Sequence, residues 1–218
     1  MPLEEMAAFF EKRLIGYEDH MRQNIAFARE FYPETARILP LSPGVRILDL
    51  GCGTGLELDE IYQRCPSVHT TGIDLCLPML DELQKKPYAR QLQLIQGSYF
   101  DLPFGENCFD AAVSVESLHH FTAERKLPLY EKLYRALKSG GMYVETDYTA
   151  SDDAEEAFYF AEYARLAGKN AQPGDFHYDT PLTAEHTMLL LKKAGFDDVF
   201  LHRKYENTAI IVAKKNGL

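Results

Sequence analysis

The stretch Val45-Arg46-Ile47-Leu48-Asp49-Leu50-Gly51-Cys52-Gly53-Thr54-Gly55 decides the fold. Val45, Ile47, Leu48 and Leu50 suit a strand covered on both faces, as in a parallel sheet. Glycine then stands at every second position; lacking a Cβ, it allows positive φ and close approach of a ligand to the backbone. Leu56 to Arg64 has helical character, so the unit is strand, tight loop, helix, the build of a nucleotide-type cofactor site. A dinucleotide fingerprint would place its third glycine at Leu56, where it is absent. A carboxylate at Asp49 would repel a pyrophosphate beside the loop and favour a cationic group. The alternative is a purely structural glycine loop, and the segments that follow bear on the choice.

Working outward, Val68 to Leu75 reads as a second strand ending in the acid Asp74. A carboxylate there suits two ribose hydroxyls, or simply caps a helix beginning near Pro78. Leu92 to Ile95 is a third strand, followed by the loop Gln96 to Phe104. Phe109 to Val115 is a fourth, with Glu116-Ser117-Leu118-His119-His120-Phe121 at its C-terminal end. A helix over about Glu124 to Leu137 closes on Lys138-Ser139-Gly140-Gly141, read as C-terminal signals. Met142 to Glu145 is a fifth strand leading to Thr146-Asp147-Tyr148. Leu182 to Ala194 is a helix stopped by Gly195, and Phe196 to His202 with Thr208 to Val212 should pair as an antiparallel hairpin.

Asp49-Leu50-Gly51-Cys52-Gly53-Thr54-Gly55 resembles motif I of the class I S-adenosylmethionine-dependent methyltransferases. The order and spacing of the later segments extend the resemblance over roughly residues 41 to 218. It implies an α/β, Rossmann-like, seven-stranded and mostly parallel sheet of order 3-2-1-4-5-7-6, with helices on both faces and an antiparallel C-terminal hairpin. S-adenosylmethionine has no phosphate and carries an ammonium and a sulfonium, in keeping with Asp49. The resemblance assigns its site to Asp49, Gly51, Cys52, Gly53, Gly55, Asp74, Leu75, Ser98, Tyr99, Asp101 and Glu116, with Asp74 on the ribose. Where the family usually has an acid for the adenine amine, this chain has Ser98. Adenine recognition then falls to the backbone around Ser98 and Tyr99, with Asp101 a second candidate.

The 218 residues, 46% of them hydrophobic, can bury one sizeable core. A net charge of −10 disfavours nonspecific binding to nucleic acid or anionic membrane. Four cysteines (Cys52, Cys65, Cys76, Cys108) lack metal-ligand spacing and are too sparse for a disulfide scaffold, so they read as free thiols in a reducing cytosol. No membrane span and no signal-peptide pattern is visible. The expectation is a cytoplasmic monomer or homodimer with a small-molecule acceptor and no nucleic-acid partner.

Substrate choice should reside in two segments outside the core. Residues 1–40 carry helical patterns over Leu3 to Tyr17 and from Tyr17 or Glu18 to Leu39; the resemblance implies an N-terminal helical lid over the cofactor, and helices that simply pack on the core are the alternative. Tyr17, His20 and Met21 sit where a lid residue could reach the sulfonium. Residues 149–181 read as a helical cap inserted after the fifth strand, with a helix Asp152 to Ala167 and a loop holding Pro173, Gly174 and Pro181. Acids crowd the first turn of that helix, where its dipole alone explains them. From Ala157 onward it is apolar almost all round, which predicts burial on more than one side. Tyr17, Tyr148, Tyr159, Tyr163, His177 and Tyr178 are the candidate substrate contacts, and aromatic packing in the core is the alternative.

The resemblance also sets the chemistry. A sulfonium-borne methyl is already activated, so the protein mainly holds the acceptor in line. An acceptor hydroxyl, thiol or acidic carbon needs a base. His119, His120 and Asp147 are the candidates at the strand tips, with His120 and Asp147 favoured. No metal is expected, because neighbouring histidines rarely point to one centre. The Asn/Asp-Pro-Pro-aromatic and Pro-Cys signatures of nucleic-acid methyltransferases are absent. Competing readings are other chemistry on the same cofactor, such as making a carboxylated derivative, and a non-catalytic cofactor-binding scaffold.

Overall fold

The computed structural model describes residues 3–167 and 176–217. Three helices, α1 (Met6–Arg13), α2 (Tyr17–Asn24) and α3 (Ala28–Ile38), precede the sheet. Then come β1 (Arg46–Leu50), α4 (Leu56–Arg64), β2 (His69–Asp74), α5 (Leu77–Leu83), β3 (Leu92–Gln96) and β4 (Phe109–Val115). After them follow α6 (Ala123–Ala136), β5 (Leu137–Tyr148), α7 (Asp153–Ala167), α8 (Ala184–Lys193), β6 (Asp198–Tyr205) and β7 (Thr208–Lys214).

The seven strands run in the order β3-β2-β1-β4-β5-β7-β6. β1 pairs in parallel with β2 and β4, β2 with β3 and β4 with β5, while β7 is antiparallel to both β5 and β6. The hairpin turn is the pair Glu206-Asn207, with Glu206 at φ 48°. Alternation along the strands feeds two cores. Leu48, Leu50 and Ala112 meet Leu129, Tyr130 and Leu133 of α6 on one face. Ile47, Ala111 and Val113 meet Phe31 of α3, Leu58 and Ile61 of α4 and Leu80 of α5 on the other. The order of strand addition reverses between β1 and β4, and at such a switch point the C-terminal ends of the strands border the crevice where these sheets bind ligands.

Two boundaries and one burial pattern differ from the sequence expectation. The second N-terminal helix is broken at Phe27, whose φ is 60°, into α2 and α3. The change of direction lets α3 bury Phe31, Tyr32, Thr35 and Ala36 while α2 buries only Met21. Lys138 to Gly141 do not cap α6, which ends at Ala136; they bulge from β5, where the register with β4 jumps from Phe109↔Leu137 to Ala111↔Met142. Lys138 is held instead by Asp110 at 2.6 Å, and Gly140 turns the bulge at φ 79°. Finally, α7 is not buried on several sides. Among its described residues only Tyr163 is buried, and Phe158 is 59% exposed. The helix docks along one line, through Glu156 onto Thr183 and His186 and through Tyr159 onto Tyr148. The loop expected at Pro173 and Gly174 lies outside the described residues.

Candidate active site

The glycine loop lies at the tip of β1, tied to β2. The N–H groups of Gly51 and Cys52 donate to the Ile73 carbonyl at 2.8 and 3.2 Å. The Gly53 N–H donates to Asp74 Oδ2 at 2.8 Å and the Cys76 N–H to Oδ1 at 2.8 Å. Asp74 thus braces the loop from the second strand tip while still lining the cleft. Gly51 is obligatory for two reasons: its φ is 76°, and a Cβ there would lie 2.1 Å from Ser117 Oγ.

Asp49 does not line the cleft, where its sequence position suggested it would stand. It is fully buried within β1, beside the equally hidden Glu57 of α4. Burial pushes the Asp49 carboxyl up to about 7, opposed by a hydrogen bond with Glu57, and raises Glu57 strongly. Two carboxyls this close in an apolar core share a proton and do not present a free anion. Cys52 is also buried and packs toward Gly72. Gly55 sits at the N-cap of α4. Neither Cys52 nor Gly55 lines the cleft.

Leu75, Tyr99, Glu116, Ser117 and Phe121 do line it, beneath Met6, Ala7 and Phe10 of α1 and Tyr17 of α2. The Tyr99 hydroxyl donates to the Ser117 carbonyl at 3.2 Å. Ser98 turns away, its Oγ accepting from the Phe100 N–H at 3.2 Å, and Asp101 is exposed outside the cleft. With α1 seated above it, the cleft retains only 70 Å³, well below the roughly 300–1,000 Å³ of ligand sites.

A second cavity of 880 Å³ adjoins the cleft and shares Phe10, Tyr17, Glu116 and His120 with it. His119, Tyr148, His177, Asp179 and Thr208 line its inner wall. Glu116, at φ 49°, stands at the junction and accepts a hydrogen bond from Thr208 at 3.3 Å. Burial pushes its carboxyl up to about 8, with repulsion from Asp147 adding and His119 opposing. Lys12 and Arg13 line the outer wall, each held by Glu4, at 2.8 and 3.2 Å.

Asp147 serves His119, not the cavity. Its Oδ1 meets His119 Nδ1 at 2.5 Å and its Oδ2 accepts from the Leu118 N–H at 2.6 Å. Both oxygens are engaged, so this carboxylate orients rather than removes protons from an acceptor. Burial opposes charge on His119, yet Asp147, helped by Asp179 and Glu116, outweighs it and holds the imidazole up at about 9. His119 Nε2 points to Asp179 Oδ1, 3.6 Å away. The favoured His120 approaches the same oxygen through Nδ1 at 3.3 Å and the Tyr178 carbonyl at 3.3 Å; burial and the neighbouring His119 lower its pKa.

The insertion reaches this centre because the Thr180 N–H donates to the His119 carbonyl at 2.8 Å. That places His177 on the cavity wall, stacked on Phe9 of α1 with centroids 3.4 Å apart. Burial first, then His120, lowers the His177 pKa to about 4. Tyr148 lines the cavity and bonds Tyr159 at 2.7 Å, but Tyr159, Tyr163 and Tyr178 do not line it. Sequence reasoning assigned no role to Asp179, which lies in the insertion beyond its helix. No local pattern marks it, since its importance comes from a chain reversal that brings position 179 to position 119.

Residues 47–141 match the family model of a methyltransferase domain. A sterol 24-C-methyltransferase of Gibberella zeae is 28% identical over 202 residues, 83% of this chain and 50% of its own length. A 24-methylenesterol C-methyltransferase of Arabidopsis thaliana is 30% identical over 168 residues, 74% of this chain and 44% of its own. The chain thus spans half or less of these two relatives. Human N-acetylserotonin methyltransferase, solved with S-adenosylmethionine, superposes with a TM-score of 0.64 at 20% identity, covering 87% of this chain and 52% of its own. The glycine loop braced by Asp74, the 3-2-1-4-5-7-6 sheet and the matched segment converge: residues 47–141 are a methyltransferase domain, and the chain has the fold of the class I S-adenosylmethionine-dependent methyltransferases.

Proposed function

We propose that this protein transfers a methyl group from S-adenosylmethionine to a small acceptor bound in the 880 Å³ cavity. The observation that carries the reading is the shared wall: Phe10, Tyr17, Glu116 and His120 border both cavities, so a methyl bound on one side faces an acceptor on the other. Asp74 would hold the ribose, the backbone at Gly51 and Gly53 the amino-acid portion, and Tyr99, Leu75 and Phe121 the adenine. The cofactor, when bound, supplies a methyl group made electrophilic by sulfonium. Everything else falls to the chain, which must place the acceptor within attacking distance and exclude water.

Residues 1–40 act in this reading as a lid and 149–181 as a cap, clasped together by Phe9 on His177 and by the bridge Glu5–Phe176. The His119 edge, oriented by Asp147, meets the acceptor's reacting atom. Relatives named for sterols favour a small acceptor. A probable tRNA methyltransferase 9B of Bos taurus, 35% identical, aligns with only 45% of the chain, and a net charge of −10 repels a polyanion. Chemistry that needs a cation above the methyl has poor support, since Lys12 and Arg13 are both held by Glu4.

The test is calorimetric titration with S-adenosylhomocysteine, alongside labelled methyl transfer into small-molecule and tRNA fractions. Wild type should bind, and Asp74→Ala should weaken binding at least about tenfold by removing a charge-assisted acceptor. Absent binding, or label found only in tRNA, would overturn the assignment.

A further inference from the structure

Behind the acceptor cavity, three donor atoms converge. His119 Nε2, His120 Nδ1 and a carboxylate oxygen of Asp179 all lie within 4.8 Å of one another. His119 Nε2 is 3.6 Å and His120 Nδ1 is 3.3 Å from Asp179 Oδ1. Donors bound at about 2.0–2.1 Å around a tetrahedral ion stand about 3.3–3.4 Å apart, so small shifts would close these edges on one centre. Adjacent histidines seldom manage this on a helix or strand. Here residues 118–121 form a turn, with the Phe121 N–H donating to the Leu118 carbonyl at 3.2 Å, and the two rings stand 4.0 Å apart at 55°.

The surroundings match a metal centre better than a plain ion pair. Asp147 accepts from His119 Nδ1, which leaves Nε2 as the coordinating atom, the carboxylate–histidine backing typical of bound first-row metals. His119 and His120 are almost wholly buried, and Asp179 enters from the opposite segment. The lysine and arginine on the cavity wall, Lys12 and Arg13, are both held by Glu4 and do not reach over to pair with Asp179. The three donors share the wall of the 880 Å³ cavity, leaving one side for a fourth ligand.

We propose that His119, His120 and Asp179 bind one divalent first-row transition ion, zinc above all, with the open position toward the acceptor. Two imidazoles and one carboxylate are a nitrogen–oxygen set suited to zinc and poor for magnesium or calcium. Within the methyl-transfer reading, on which only its role rests, the ion would bind the acceptor's hydroxyl or thiol and favour its deprotonated form. The proton leaves to solvent, the acceptor atom forms the new bond to carbon, and the sulfur–carbon electron pair returns to sulfur.

The experiment uses the full chain stripped with a chelator. Zinc sulfate is titrated calorimetrically, and cobalt binding is followed by visible absorption. One equivalent should bind with micromolar or tighter affinity, and cobalt should show four-coordinate bands without thiolate charge transfer. Asp179→Asn and His120→Gln should each weaken binding at least about tenfold, and Asp147→Asn by about 10–100-fold. His119 is left intact because its removal would strand the buried Asp147 carboxylate. Far-UV circular dichroism and urea unfolding of the same variants show that they are folded. Zinc binding that is absent in wild type, unchanged in Asp179→Asn, or accompanied by a thiolate band would overturn the proposal. Failure of S-adenosylhomocysteine binding in wild type would instead sink the methyltransferase reading and leave the metal result standing.

Discussion

At the scale of single residues, the glycine loop offers a contrast that separates backbone strain from crowding. Gly51 and Gly140 both have φ near 80°, at 76° and 79°, but a Cβ at Gly51 would meet Ser117 at 2.1 Å while one at Gly140 meets nothing within 4 Å. Gly140→Ala should cost only the left-handed penalty, about 1–2 kcal/mol, and leave S-adenosylhomocysteine binding unchanged. Gly51→Ala should cost more, displace Ser117 and with it the Tyr99 bond, and abolish measurable binding; equal effects in chemical unfolding and calorimetry would refute the distinction. The Asp49–Glu57 pair sets a pH dependence. Their folded values lie above the unfolded ones, Asp49 at about 7, so their contribution is complete below the unfolded carboxylate range and is lost as pH rises through about 7. Urea unfolding from pH 5 to pH 8 should therefore show stability falling, and Asp49→Asn/Glu57→Gln should reduce that slope to what Glu116 and His119, also raised, contribute. A slope identical in the double variant would assign it elsewhere. Asp49 itself was visible in the sequence, but its partner was not: only the packing of α4 on β1 brings Glu57 to it.

At the scale of elements, the sequence was read well where periodicity is strong and poorly where a tertiary contact sets the boundary. α4 and β4 begin and end as expected, because glycine before Leu56 and the apolar run to Val115 are local signals. The end of α6 was misread because Lys138-Ser139-Gly140-Gly141 has the composition of a helix stop, yet Asp110 draws Lys138 into a strand bulge. The apolar helix α7 was expected to be buried on more than one side; nothing local says that it docks through the line of Glu156, Tyr159 and Tyr163. The clasp between α1 and the insertion is also long-range. Phe9 lies between His177 and Arg13, whose guanidinium carbon stands 3.6 Å from the ring centre. Phe9→Ala should release both partners together. Hydrogen exchange should then accelerate in residues 5–13 and 176–179, and S-adenosylhomocysteine should associate faster as α1 lifts more readily from the 70 Å³ cleft. Faster exchange in only one of the two segments would show that they are not coupled.

At the scale of the whole molecule, the sheet order and the place of the cofactor cleft were legible in the sequence. The strands, turn glycines and the acid at the second strand tip are short-range patterns, and the order in which the strands lie was expected from the family resemblance that those patterns carry. The charge balance was equally legible, as charge is additive and independent of fold. Among the described residues, no helix is long and apolar enough to cross a membrane. What the tertiary structure alone decided is the chemistry beyond the cleft. It spends Asp147 on His119, turns Ser98 and Asp101 away, buries Asp49 with Glu57, and carries Asp179 to a histidine pair 60 positions earlier. Those outcomes depend on where two irregular segments fold back over the sheet. Side chains distant in sequence meet there through packing and hydrogen bonds that no local periodicity encodes.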